Sequence, residues 1–125
     1  MLSLEEFTDH MGQHKWSQAV KWGGFSYLYV RRNHRFIDGQ KVENCLTVAN
    51  MTAYRPGTGN FRRLERFLLD KGLSILVERV QTPELIDHLV AAHYRQVNQD
   101  SGIHFYKESP RRLGAKPTEN IANKR

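Results

Sequence analysis

The sequence predicts an α/β chain of the α+β kind, with a mixed, mostly antiparallel central sheet flanked by helices. Two segments rich in aromatic and β-branched residues face each other across Asp38-Gly39, which is strong hairpin chemistry. A second hairpin pattern lies near the end of the chain, around Gln99-Asp100-Ser101-Gly102. Between the two, apolar strand segments alternate with helices that carry one apolar face. At 125 residues the chain has room for one domain with a substantial core.

The elements follow in order. Leu2, Leu4, Phe7 and Met11 fall near helical spacing, and Ser3 with Glu6 makes a capping box ahead of them. A second short helix is expected over about 17–21, carrying Trp16, Ala19, Val20 and Trp22 and ended by Gly23-Gly24. Residues 25–36 read as a strand and residues 42–54 as its return partner. Gly57-Thr58-Gly59 then leads into an amphipathic helix. Phe61, Leu64, Phe67 and Leu68 share one face, Arg62, Arg63, Glu65, Arg66 and Asp70 the other, and Gly72 stops it. Residues 73–80 form a short apolar strand. Thr82-Pro83-Glu84 starts the next helix with a cap, a proline at the first helical position and an acid in the first turn. Leu85, Ile86, Leu89 and Val90 are its expected buried stripe. Residues 94–98 and 103–106 are the final hairpin.

Charge divides the chain. The net charge is +6, and residues 107–125 hold six basic and two acidic side chains, leaving +2 for residues 1–106. With Pro110, Gly114 and Pro117 and few large apolar residues, 107–125 reads as a basic extended tail. Such a tail is either solvated or an arm that docks on an acidic surface. No apolar run approaches the roughly 20 residues that span a bilayer, so no membrane role is expected. The acidic, amphipathic N-terminus is not a secretory signal. Cys45 is the lone cysteine, which excludes a disulfide framework and fits a reducing compartment such as the cytoplasm. His10 and His14 have zinc spacing, but His-Met-Gly-Gln-His offers no carboxylate base and no third ligand, so no metal is expected. Phe25, Tyr27 and Tyr29 beside Arg31 and Arg32 would permit stacking on nucleic acid, yet no nucleic-acid motif accompanies them. They read as a sheet face.

The most telling stretch is residues 54–72. A strand, a glycine turn and a helix N-terminus make an anion site, because the first helical amides lack partners and the helix dipole adds positive charge. Glycines at 57 and 59 let the backbone take positive φ and approach a phosphate closely. Arg62, Arg63 and Arg66 follow and are placed to clamp further phosphates.

This order of elements, over roughly residues 25–106, resembles the GNAT (Gcn5-related N-acetyltransferase) superfamily. Pro-Gly-Thr-Gly-Asn-Phe-Arg-Arg-Leu at 56–64 and Val-Glu-Arg-Val-Gln-Thr-Pro-Glu-Leu at 77–85 are similar to small GNAT-like proteins of tailed bacteriophages. The resemblance implies a single GNAT-like domain over 1–106, truncated at its N-terminus, where the family's first strand is missing. It implies an acyl-coenzyme A lying where the central strand splays from its neighbour. The pyrophosphate would rest on the amides of Gly57, Thr58, Gly59, Asn60 and Phe61, with Arg62 alongside. It further implies transfer of an acetyl group from acetyl-CoA to a protein or small-molecule amine, without a metal.

The departures bear on catalysis. The family's Gln/Arg-x-x-Gly-x-Gly/Ala loop puts Tyr54 at the Gln/Arg position and Arg55 one place late. Counting from Thr82 puts Leu89 where many active members have the tyrosine that protonates the leaving thiolate. Glu78 is the candidate base, or else a surface carboxylate paired with a nearby arginine. His88 and Tyr54 are candidate acids, or else an exposed helix histidine and a half-buried strand tyrosine. Two readings follow: an acyl-CoA-dependent N-acyltransferase, or a non-catalytic GNAT-like phage virion or host-interaction protein that docks through its tail and aromatic surface.

Overall fold

The computed structural model describes residues 1–11, 16–37, 40–55, 57–99 and 102–110. Ser3 accepts the Glu6 amide at 3.1 Å while Glu6 reaches back to the Ser3 amide at 3.3 Å, so the expected capping box starts α1 (Leu4–Asp9). The elements that follow are β1 (Ser17–Ala19), β2 (Phe25–Ile37), β3 (Gln40–Ala53), α2 (Asn60–Asp70), β4 (Ser74–Val77), α3 (Pro83–Ala91), β5 (Arg95–Gln99) and β6 (Gly102–Lys107). They build one six-stranded sheet in the order β1-β2-β3-β4-β6-β5. Only β3 and β4 run parallel, joined through α2. The mixed, mostly antiparallel sheet with helices is thus as the sequence predicts.

One expected element changes type. Residues 17–21 are not helical: Ser17–Ala19 pair with Arg31–Tyr29 as a short edge strand. Five residues barely complete one costly helical turn, whereas the 13-residue β2 offers a ladder. Lys21 then bridges to Ser3, and backbone bonds of 2.9 Å tie Leu4 and Leu2 to it, so β1 anchors the cap of α1.

Three boundaries and two faces also move. The strand expected over 73–80 ends at Val77. The domain continues past Tyr106: Lys107 closes β6, and the fully buried Ser109 donates its amide to Ser74 Oγ at 3.1 Å. Residues 111–125 lie outside the described residues, as do His14 and the expected Asp38-Gly39 turn, although β2 and β3 pair as far as Ile37 and Gln40. β3 ends before Tyr54. Val90, expected in the buried stripe of α3, is exposed, and Glu65, expected on the polar face of α2, is buried.

The helices pack on one face. Leu4 and Phe7, Leu64 and Leu68, and Leu89 join Leu46, Val48, Ile75, Val77 and Phe105 in one core. Each such side chain contributes about 1.5–3 kcal/mol. Gly72, at φ 79°, ends α2 in a Schellman turn in which Leu73 N–H reaches Leu68 O and Gly72 N–H reaches Leu69 O. Cys45 packs in a second cluster with Val42, Leu76, Val97 and Tyr106. Among the described residues, no helix contributes to that cluster.

Candidate functional site

The turn before α2 is held by its own polar groups. Thr58 Oγ1 and Asn60 Nδ2 donate to the Arg55 carbonyl at 2.7 and 3.2 Å. Arg63 turns back onto Asn60 Oδ1 and the Thr58 carbonyl. Gly57 and Gly59 sit at φ 83° and 82°. Gly59 is the N-cap, no side chain caps α2, and its first turn holds no acid. The first helical bond is Arg63 N–H to Gly59 O at 3.2 Å. The amides of Asn60, Phe61 and Arg62 therefore precede the helical ladder, in contrast to the closed cap of α1. Asn60 and Thr58 each spend a side-chain donor on the turn, which holds the backbone amides in place.

Beside this turn the parallel strands part. β3 and β4 pair from Cys45–Ser74 to Val48–Val77, and Glu78 N–H still reaches Val48 O at 3.1 Å. Both strands then bulge. Ala49 is the extra residue of β3, because Tyr29 pairs with Asn50 and Val30 with Val48. On the other side Val77 pairs with Phe105, and Val80 N–H bonds to Ile103 O at 3.1 Å, so Glu78 and Arg79 together oppose His104. Arg79 is left-handed at φ 50°, and its amide donates to Nδ1 of the fully buried His104 at 2.9 Å. That bond fixes the tautomer, since Nδ1 must be unprotonated to accept.

Two adjoining cavities fill the gap. One, of about 580 Å³, is lined by Gly57, Gly59, Asn60, Phe61, Arg62 and His88, together with Phe25, Ala53 and the carboxylate-bearing Glu84. The other, of about 480 Å³, runs between Ala49–Met51 and Glu78–Thr82. Met51, Thr82 and Leu85 line both, so the two form one cleft. Each is of the size that holds a small ligand.

Within this cleft the expected residues separate. Gly57, Gly59, Asn60, Phe61, Arg62 and His88 come together at one end. Thr58 supports the turn without lining the cavity. Glu78 lies at the other end, where Arg31 Nη1 donates to both of its carboxylate oxygens at 3.0 Å. The arginine pairing expected as the alternative for Glu78 is present, but not at the surface: the Glu78 side chain is only 7% exposed. His88 is not an exposed histidine: Nε2 is shut off from solvent without a hydrogen-bond partner, and the ring meets Phe61 edge-on at 5.5 Å. Tyr54 is neither half-buried nor in the cleft; it is 73% exposed beyond the end of β3. Leu89 belongs to the core, because the cleft side of α3 carries Thr82, Leu85 and His88 at intervals of three. Of the expected arginine clamp, Arg62 alone lines the cleft among Arg62, Arg63 and Arg66; Arg66 faces a neighbouring pocket with Glu65, Asp70 and Lys107, which Arg62 also borders.

Sequence reasoning missed Arg31, Arg79 and His104 as parts of this region. Their roles depend on register across 47 and 25 residues, which leaves no local signal.

The far side of α2 is braced by buried charge. Lys107 Nζ lies 3.6 Å from Glu65 Oε2, donates to the Ala92 carbonyl at 2.8 Å and sits over the Tyr94 ring at 5.4 Å. Burial, followed by the nearby Glu65 carboxylate, pushes the Tyr94 hydroxyl far above its ordinary value. On the aromatic surface, Trp16 is covered by the Arg32 guanidinium at 5.4 Å and Tyr27 stacks on Tyr29 at 6.3 Å. Among the described residues no group of three or more His, Cys, Asp or Glu is placed to hold a metal, and no helix is long and apolar enough to cross a membrane. No family model matches the chain, and neither a curated protein nor a solved structure matches it.

Proposed function

We propose that the protein is a GNAT-type N-acyltransferase that binds acetyl-coenzyme A with its pyrophosphate on the α2 amides. The observation that carries this reading is that α2 starts without a cap beside the point where two parallel strands part. A helix N-terminus with two positive-φ glycines and no first-turn acid favours a polyphosphate. The gap between β3 and β4 offers the pantetheine arm unpaired strand edges, and at the phosphate end Arg62 supplies a cation that offsets the Glu84 carboxylate in the same cavity. When bound, acetyl-coenzyme A supplies the acyl group as a thioester, whose C–S bond breaks as the C–N bond to the amine forms. Glu78, oriented by Arg31, takes the proton lost by the amine, directly or through water. Water returns a proton to the departing sulfur, because Leu89 lies in the core and His88 lines the pyrophosphate end, away from Glu78.

A second reading is favoured by specific observations. Glu78 is held in an ion pair, Leu89 lies in the core and Tyr54 stands outside the cleft. A GNAT-like phage protein that has kept the fold without turnover, acting in the virion or in the host cytoplasm through protein contacts, fits these equally well.

Calorimetric titration of the whole chain with acetyl-coenzyme A and coenzyme A, followed by a thiol-release assay on an amine panel, separates the two. Binding with turnover supports the enzyme, and binding without turnover supports the second reading. Gly59→Glu would put a carboxylate at the anion's place and should abolish binding. A folded Gly59→Glu protein with unchanged affinity would remove the proposed site.

A further inference from the structure

The polar end of the cleft carries an unusual arginine. Arg79 is a non-glycine residue at φ 50°, a conformation that costs about 1–3 kcal/mol and persists only where neighbours enforce it. Here the neighbours are identifiable. The buried His104 accepts its amide at 2.9 Å, and its stem runs past Gly102, where even an added Cβ would meet Arg79 Cγ only in ordinary contact at 3.4 Å. The side chain remains exposed and lines the cleft. Glu78 and Arg79 are the charged residues among the described lining of this end, and Glu78 is neutralised by Arg31. The charge left facing a ligand is therefore positive. A polyamine or a lysine side chain would meet repulsion there, and a carboxylate would meet a fork of guanidinium donors.

We propose that Arg79 determines specificity at this end and that the acceptor is a small amine bearing a carboxylate, of amino-acid type. This rests on the acyltransferase reading for the word acceptor, while the anion preference stands on the cleft alone. The transfer balances: the acyl carbon leaves sulfur for the amine nitrogen, the amine loses one proton, and the thiol leaves protonated.

The test uses the whole chain and two product-like probes, N-acetyl-L-alanine and N-acetyl-L-alaninamide, which differ by one charge. Amide-resolved NMR titration should show the carboxylate binding at least about tenfold tighter than the amide, the worth of one charge-assisted hydrogen bond. The shifts should centre on Asn50, Arg79 and Gln81. Arg79→Gln should abolish that ratio and Arg79→Lys should keep part of it, with shift dispersion reporting that both are folded. In the thiol-release assay L-alanine should exceed L-alaninamide and spermidine in kcat/KM, and Arg79→Glu should reverse the order. Equal affinity for the two probes, shifts elsewhere, or no binding of either would overturn the proposal. If acetyl-coenzyme A binds while the carboxylate gains nothing, this inference fails and the cofactor reading stands. If the carboxylate selects Arg79 while acetyl-coenzyme A does not bind, the reverse holds.

Discussion

Replacing Gly24 by alanine should damage the turn before α2 from 36 residues away. Gly24 opens β2 at φ 95° and accepts the Tyr54 amide at 3.0 Å. A Cβ added there would lie 2.4 Å from Asn60 Oδ1 and 2.8 Å from its Cγ, well inside contact distance. Asn60 has nowhere cheap to go, because its side chain is fastened to the Arg55 carbonyl and to Arg63. Two terms then add. The left-handed backbone costs an alanine about 1–2 kcal/mol, and losing the two Asn60 bonds costs about 1 kcal/mol each. The total of about 3–4 kcal/mol should lower the thermal midpoint by roughly 10–20 °C for a domain of this size. Two controls divide the sum. Gly57→Ala, at φ 83° with nothing within 4 Å, should show the backbone term alone. Gly23→Ala, with open space and no positive φ, should change stability by less than about 0.5 kcal/mol. In an Asn60→Ala background Gly24→Ala should fall to the backbone term, a coupling of about 2 kcal/mol. Urea and thermal melts of this set decide it. If Gly24→Ala and Gly57→Ala melt together, the contact between Gly24 and Asn60 does not shape the turn.

Three further outcomes are expected. Thr47 is fully buried with its hydroxyl unpartnered, so Thr47→Val should raise stability by about 1 kcal/mol in urea melts; a loss of stability would mean that the hydroxyl is satisfied. Glu65→Ala leaves the Lys107 ammonium without its carboxylate and should cost about 3 kcal/mol, much of it restored by adding Lys107→Met; a cost below about 0.5 kcal/mol, that of a surface change, would show that the pair is solvated. Below about pH 10 both folded and unfolded chains hold the Tyr94 proton, but above it only the folded chain does. Its share of stability is thus present at neutral pH and lost as pH rises, at about 1.4 kcal/mol per unit, and Tyr94→Phe should flatten that slope relative to the parent in melts between about pH 9 and 11.5.

What the sequence made legible is local chemistry. The α1 capping box, the proline start of α3, the Gly72 stop and both hairpins depend on residues within a few positions of one another. The glycine turn and the His88 wall of the cleft were accessible in the same way. Edge strand β1 was not, because Ser17–Ala19 become a strand only through the partner they find in β2. The buried face of Glu65 was not, since its reason is Lys107, 42 residues on. The resemblance would put a tyrosine at residue 89, where this chain has Leu89. A helix repeats every 3.6 residues, and Leu89 faces the core while His88 faces the cleft.

The three helices show where local and global demands diverge. α1 closes its N-terminus with a reciprocal cap, and α3 starts with proline and an early acid, although the expected Thr82 cap makes no side-chain hydrogen bond. The 11-residue α2, whose Leu64 and Leu68 anchor the core, begins with none of these and with a left-handed glycine in the capping place. A cap of the usual kind is worth about 1 kcal/mol, so an element this central has reason to carry one. The same neighbourhood holds the bulge at Ala49, the left-handed Arg79 and the unpartnered His88 nitrogen. Each alone is a tolerable irregularity. Their collection around one cleft, while the capped α1 and the closed C-terminus of α2 follow local preference, is the pattern expected where stability is traded for a ligand. On that argument a ligand with phosphates should stabilise the fold by supplying partners to the Asn60, Phe61 and Arg62 amides, and a thermal midpoint unmoved by saturating acetyl-coenzyme A or coenzyme A would refute it.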